Sequence, residues 1–176
     1  MRILILLLLG LLTGGTLIAK GKTIVKTKNK IPNRLIDYRT FQNTVNASSG
    51  ERESRRLTEE EFLRMMKMEE VILLDARSES RYKLRHIRGA ISLPFTEFTK
   101  ESLAQAIPKS DSKILIYCNN NFTGSPQSFA AKAPAASLNL STYVSLKAYG
   151  YTNVYELGPL LDIKTTSLPF EGTELE

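Results

Sequence analysis

Short apolar runs alternate with helical patterns from residue 57 to residue 157, and that alternation admits few architectures. Ile114, Leu115, Ile116 and Tyr117 form a continuous, partly β-branched apolar run, which reads as a strand buried on both faces. Val71 to Leu74 form a second such run that ends on Asp75. A shorter one starts at Ile91 and is stopped by Pro94, and a last covers 153–157 before Gly158 and Pro159. Between the runs lie helical signals. Thr58 and Glu61 make a T-x-x-E capping box, acidic residues fill the first turn, and Phe62, Leu63, Met65 and Met66 share a face, which predicts a helix over 59–69. Further helices are expected over 79–84, over 96–107 with Phe98, Leu103 and Ile107 inward, and over 137–148 with Gly150 as the stop. The alanine-rich stretch 128–132 reads as an additional helical segment, interrupted by Pro134. Strands alternating with helices argue for an α/β domain with a mostly parallel sheet, whose ligands sit off the carboxyl ends of the strands.

Cys118, the only cysteine, stands at such an end. Asn119, Asn120 and Asn121 follow it. Asparagine tolerates the left-handed region better than any residue but glycine, so the run is expected to curl with its amides turned inward. A nest of amides binds anions and favours a thiolate over a thiol, and a helix start near Pro126 would act in the same sense. Cys118 is therefore the candidate nucleophile, with Asn119, Asn120, Asn121, Phe122 and Thr123 as the substrate-binding loop. Phe122 reads equally well as a pocket wall or as a core residue.

Several functions are excluded or disfavoured. One cysteine and one histidine, His86, cannot assemble a multi-ligand zinc site. A cysteine phosphatase wants C-x5-R, and the sixth residue after Cys118 is Gly124. A thiol–disulfide oxidoreductase would need a second cysteine. The net charge of +6 has much of its positive excess before residue 40, which reads as a basic tail and not as a nucleic-acid footprint. Arg2, the leucine-rich run after it and Ala19 fit a secretory signal peptide over 1–19, with an uncleaved anchor as the alternative. The expectation is an exported, periplasmic protein, or one anchored in the membrane and facing the periplasm. Residues 20–56 read as a polar, partly disordered extension whose apolar cluster, Leu35, Ile36, Tyr38 and Phe41, docks on the domain or on a partner. The sequons at Asn46, Asn121 and Asn139 are taken as chance and the host as bacterial.

Leu73-Leu-Asp75-Ala-Arg77, Tyr82 and His86-Ile-Arg-Gly89-Ala90-Ile-Ser-Leu-Pro94 occur in order, followed by Ile116-Tyr-Cys118 with its loop, Gly150 to Gly158, and Leu168-Pro169-Phe-Glu-Gly172. Together they resemble a rhodanese-like domain, the sulfurtransferase family, over about 57–173. The resemblance implies a five-stranded, mostly parallel sheet flanked by helices on both faces. It also implies that Cys118 takes a sulfane sulfur as a persulfide from a small donor, such as thiosulfate or a persulfide, and passes it to a thiol or other thiophilic acceptor. No cofactor or metal is implied. A protein partner is possible, and membrane contact is expected only if the N-terminal segment stays uncleaved. Asp75 and Arg77 are read as supporting residues that tie the turn to the strand end, and His86 as structural. Asn119 and Asn121 stand where the family often has a basic residue and a glycine, and the region 124–147 is longer than usual. A non-catalytic rhodanese-like binding module is the alternative function.

Overall fold

A computed structural model describes residues 31–175, so the expected signal segment and residues 20–30 lie outside the described residues. The chain divides into units 1–34 and 35–176, and the elements named here belong to the second. In order they are α1 (Tyr38–Ser54), β1 (Arg56–Leu57), α2 (Glu59–Met66), β2 (Val71–Asp75), α3 (Glu79–Leu84), β3 (His86–Ile87) and β4 (Ile91–Ser92). Then come α4 (Lys100–Ala106), β5 (Lys113–Tyr117), β6 (Phe122–Thr123), α5 (Leu138–Ala148), β7 (Asn153–Leu157), β8 (Leu161–Asp162) and β9 (Phe170–Glu171). Five strands make one parallel sheet in the order β1-β7-β5-β2-β4, with β5 central.

The strands are apolar on both faces because each face has its own helices. Leu73, Leu115, Tyr117 and Leu157 point to one side, where Phe62 of α2 meets them. Leu74, Ile114, Ile116 and Val154 point to the other, against Leu103 and Ile107 from the α4 region and Tyr143 and Leu146 of α5. Side chains alternate across a strand, so continuous apolar runs of this kind are what two covered faces require. Among the described residues no helix is long and apolar enough to cross a membrane.

Helix α2 starts as expected: Thr58 Oγ1 accepts the Glu61 N–H at 3.2 Å, and Glu61 accepts the Thr58 N–H at 2.9 Å. It ends three residues short of the expected 69, in a turn where Glu70 has φ 59°. The helix expected over 96–107 is a short 3-10 turn followed by α4. Thr99 breaks it, because its hydroxyl accepts the Ser102 N–H at 3.1 Å and so caps a fresh start. The stretch 128–132 is not helical. The Ser128 carbonyl accepts Arg77 Nη1 at 2.9 Å, and the Ser125 and Ser128 hydroxyls both bond to Glu174.

The largest departure is the extension. Residues 38–54, inside the stretch read as partly disordered, form the 17-residue α1, with Thr40 N–H capped by Asp37 at 2.9 Å. Leu35, Ile36, Tyr38 and Phe41 do not dock on the domain; they are exposed. Helix α1 meets the domain through polar groups instead. Ser48 is buried, Glu51 pairs with Lys147 of α5 at 2.9 Å, and Arg52 pairs with Glu156 of β7 at 2.5 Å.

Candidate active site

Two strand ends frame the site. In register, Asp75 closes β2 beside Tyr117, which closes β5, and both are buried. Arg77 grips Asp75 with Nε at 2.9 Å from Oδ1 and Nη2 at 2.6 Å from Oδ2. The Tyr117 hydroxyl donates to Asp75 Oδ2 at 2.6 Å and accepts the Ile87 N–H at 3.1 Å. Two of the other three guanidinium hydrogens of Arg77 reach the Ser128 and Arg85 carbonyls, at 2.9 and 2.8 Å. Its planar face lies 4.4 Å from the Phe129 ring centre. Burial works against the Arg77 charge, but the hydrogen bonds and charge of Asp75 outweigh it and raise its pKa. Burial, then the Asp75 charge, holds the Tyr117 phenol well above its ordinary value. Asp75 and Arg77, read from the sequence as supporting residues, form a buried ion pair between the ends of β2 and β5. His86 is structural in place: Nδ1 lies 2.8 Å from the Tyr82 carbonyl, Nε2 lies 3.0 Å from Glu171, and the ring stacks on Tyr82.

Cys118 is the first residue beyond β5, extended at φ −148° and 1% exposed. The three asparagines after it do not enter the left-handed region; among the described non-glycine residues only Glu70 has positive φ. They form a right-handed 3-10 turn in which the Asn121 and Phe122 amides donate to the Cys118 and Asn119 carbonyls. Their side chains act as clamps. Asn121 Oδ1 accepts the Cys118 N–H at 2.9 Å and Asn139 Nδ2 at 3.2 Å, while its Nδ2 donates to the Leu157 and Pro159 carbonyls at 2.7 and 3.2 Å. Asn120 exchanges two hydrogen bonds with the Lys132 backbone, at 2.8 and 3.0 Å. No helix begins near Pro126. The one that begins at the thiol is α5, whose N-cap residue Ser137 places its hydroxyl 3.4 Å from Cys118 Sγ. The partial positive charge of a helix start favours negative charge beside it.

Cys118 lines a cavity of about 230 Å3 together with Asn120, Asn121, Ser137 and Asn139. Three of its other lining residues were not foreseen: Arg52 from α1, Arg56 from β1 and Glu156 from β7. Arg52 and Arg56 both bond to Glu156 Oε1, at 2.5 and 3.1 Å. Burial raises the Glu156 carboxyl pKa, partly offset by Arg52 and Arg56. The loop lacks a cation; the two guanidinium groups outside it are each paired with Glu53 as well as Glu156. Of the expected substrate loop, Asn119, Phe122 and Thr123 do not line this cavity. Phe122 is a core residue, 3% exposed, with its ring centre 4.5 Å from that of Phe129. Thr123 lies exposed in β6 opposite Asp162 of β8. Asn119 is buried on another side of the loop, where its Oδ1 has no partner among the described residues.

A family model described as rhodanese-like domain matches residues 58–158. No curated protein matches the chain. Among solved structures, the BH2092 protein of Bacillus halodurans is similar at 21% identity and TM-score 0.51, over 76% of this chain and 88% of that one. The rhodanese-like domain of the Alr3790 protein from Anabaena matches at 21% identity and TM-score 0.49, over 69% and 82% of the two chains. A rhodanese from E. coli, described with anions, matches at 26% identity and TM-score 0.39, over 58% and 99%.

Proposed function

Since the chain belongs to the rhodanese-like domain family, we propose that it is a sulfurtransferase in which Cys118 carries the sulfur. The observation that carries this reading is the placement of the single thiol at the carboxyl end of the central strand, in the wall of a cavity that also holds two arginines. The Cys118 thiolate attacks the outer sulfur of a sulfane donor. A new S–S bond forms on Cys118, the donor's bond to that sulfur breaks, and the remainder leaves as an anion with the electron pair. A thiophilic acceptor then takes the terminal sulfur and returns Cys118 as thiolate. Arg52 and Arg56 line the same cavity, which supports a role for them toward the departing negative charge. The test is incubation with thiosulfate or a small persulfide. Cys118 should gain the mass of one sulfur atom, and Cys118→Ala should gain none. No gain with several donors would instead support a non-catalytic binding module, which the 1% exposure of Cys118 favours. Export is part of the same proposal and rests on the leucine-rich start of the chain; recovery of the mature protein in the cytoplasm with residue 1 intact would contradict it.

A further inference from the structure

A sulfur carrier needs its thiol within reach of donor and acceptor, yet Cys118 is 1% exposed. The segment 130–137 borders it. Ser137 places its hydroxyl 3.4 Å from Cys118 Sγ, and Pro134 lines the same cavity. The ends of this segment are fixed: Phe129 is buried in one hydrophobic core, and Leu138 opens α5. Its middle is not. Five of the seven residues from 130 to 136 are alanine, and none of 130–137 belongs to either core. Residues 131–136 are all exposed. Ala130, Lys132 and Ala136 line a second cavity, of about 470 Å3, which shares no lining residue with the first. One side chain ties the middle to the loop after Cys118. Asn120 Nδ2 donates to the Lys132 carbonyl at 2.8 Å, and its Oδ1 accepts the Lys132 N–H at 3.0 Å; both bonds are exposed. Few buried apolar contacts and solvent-exposed hydrogen bonds mark segments that open locally.

Resting on the sulfurtransferase reading, we propose that residues 130–136 are a strap that closes over Cys118 and opens about its anchored ends when the Asn120–Lys132 latch breaks. Closed, the strap keeps bulk water and stray thiols from the sulfur on Cys118. Open, it admits donor and acceptor. The energetics suit a gate. An alanine side chain has no rotamers to order and little area to bury, so the strap gives up little when it lifts. Two hydrogen bonds lie within it, from the Ala136 N–H to the Ala133 carbonyl and from the Ser137 N–H to the Pro134 carbonyl. These travel with the strap and survive its opening. What opening must break is the pair at Asn120. Helix α1 also borders the cavity, but ion pairs of Arg52 with Glu156 and of Glu51 with Lys147 hold it to the domain. The strap is the less firmly tied of the two.

The test is alkylation of Cys118 by iodoacetamide, in which the thiolate displaces iodide and the product is read by mass. It needs no sulfur donor, so its result is separate from the sulfurtransferase reading. On the unaltered full chain, alkylation should be slower than on the same chain unfolded in urea. At low urea its rate should be independent of urea, because lifting a seven-residue strap exposes little surface. Near the unfolding transition it should rise steeply. Asn120→Ala should raise the low-urea rate about tenfold, the effect of losing two hydrogen bonds from the closed state. Thr58→Ala, which removes the cap of α2 and lowers global stability, should leave that rate unchanged. Alkylation of the folded chain as fast as of the unfolded one would overturn the proposal, since the thiol would then not be covered. So would a rate that climbs with urea from the lowest concentration, which means that only global unfolding uncovers the sulfur. A flat rate that Asn120→Ala leaves unaltered would assign the opening to another element and overturn it equally. If the expected rates are found and Cys118 gains no sulfur from any donor, the strap is sustained and the sulfurtransferase reading alone fails.

Discussion

Asn121 stands where the sequence resemblance suggests that a glycine is common, and the structure gives it a different task. Its amide joins the turn after Cys118 to the end of β7 and to α5 through four hydrogen bonds. Removing that amide strands a buried N–H on Cys118 and a buried carbonyl on Leu157. Asn121→Ala should therefore cost about 2–4 kcal/mol, read as a fall in the urea midpoint. A loss under about 0.5 kcal/mol would mean the turn holds itself. The burial of Asn121, with both amide hydrogens engaged, also leaves no room for a glycan on the folded protein, in line with reading its sequon as chance. The sequence made Cys118 legible because an apolar run stops at the only thiol. It did not make the asparagines legible. A tolerance for left-handed φ describes one residue, whereas the partners of this amide lie 18 and 36 residues further on. Gly172 shows the complementary case. Its φ is +132°, and a Cβ there would sit 2.5 Å from the Leu84 carbonyl oxygen. Gly172→Ala should destabilise by about 2 kcal/mol or more, through backbone strain plus the clash, with the loss visible in the thermal midpoint.

Helix α1 turns the usual rule for surface helices inside out. Amphipathic patterning says that the apolar stripe faces the domain. Here Tyr38 and Phe41 face outward, and Glu51 and Arg52 face inward, because β7 and α5 offer Glu156 and Lys147 as partners. Local signals therefore found α2, whose caps lie within its own first turn, and missed α1, whose docking partners lie about a hundred residues on. The buried carboxylate makes the docking sensitive to pH. The Glu156 pKa is raised above 4.5 by burial, so the folded state holds its proton at pH values where the unfolded chain has released it. Stability from this group is complete below 4.5 and declines as pH rises through the folded value. Glu51 acts oppositely: the Lys147 hydrogen bond lowers its pKa, so its contribution is complete above 4.5 and is lost as pH falls through the lower folded value. Thermal unfolding across the acid range, for the native protein and for Glu156→Gln, separates the two. Glu156→Gln stands in for the protonated carboxyl, so the native protein should fall behind it as pH rises above 4.5, and the difference between the curves should widen. A difference that stays flat across that range would remove the buried carboxyl as a pH-dependent element.

At the scale of the molecule, the parallel sheet follows from the alternation of strands and helices, while the short strand pairs β3–β9 and β6–β8 follow from long-range closure that two-residue segments cannot announce. One buried polar network joins those levels. Asp75, Arg77 and Tyr117 tie the ends of β2 and β5 to the turn before β3 and, through the Ser128 carbonyl, to the long segment that leads to Ser137 beside the thiol. A buried ion pair is not in itself a source of stability, but breaking one side of it leaves an uncompensated charge, at a cost of about 3–5 kcal/mol. Asp75→Asn keeps the shape and leaves the Arg77 guanidinium in that state, so its urea midpoint should fall accordingly. Cys118→Ala, a small change at a tightly packed position, should move the midpoint far less. The two variants also part in function. Cys118→Ala should stay folded and gain no sulfur. Asp75→Asn retains the thiol, yet should load more slowly even under conditions where it remains fully folded, because Ser128 and the segment behind it lose their anchor. If Asp75→Asn loads at the native rate when folded, the network holds the domain together without positioning the cysteine, and the two strand ends are linked in stability alone.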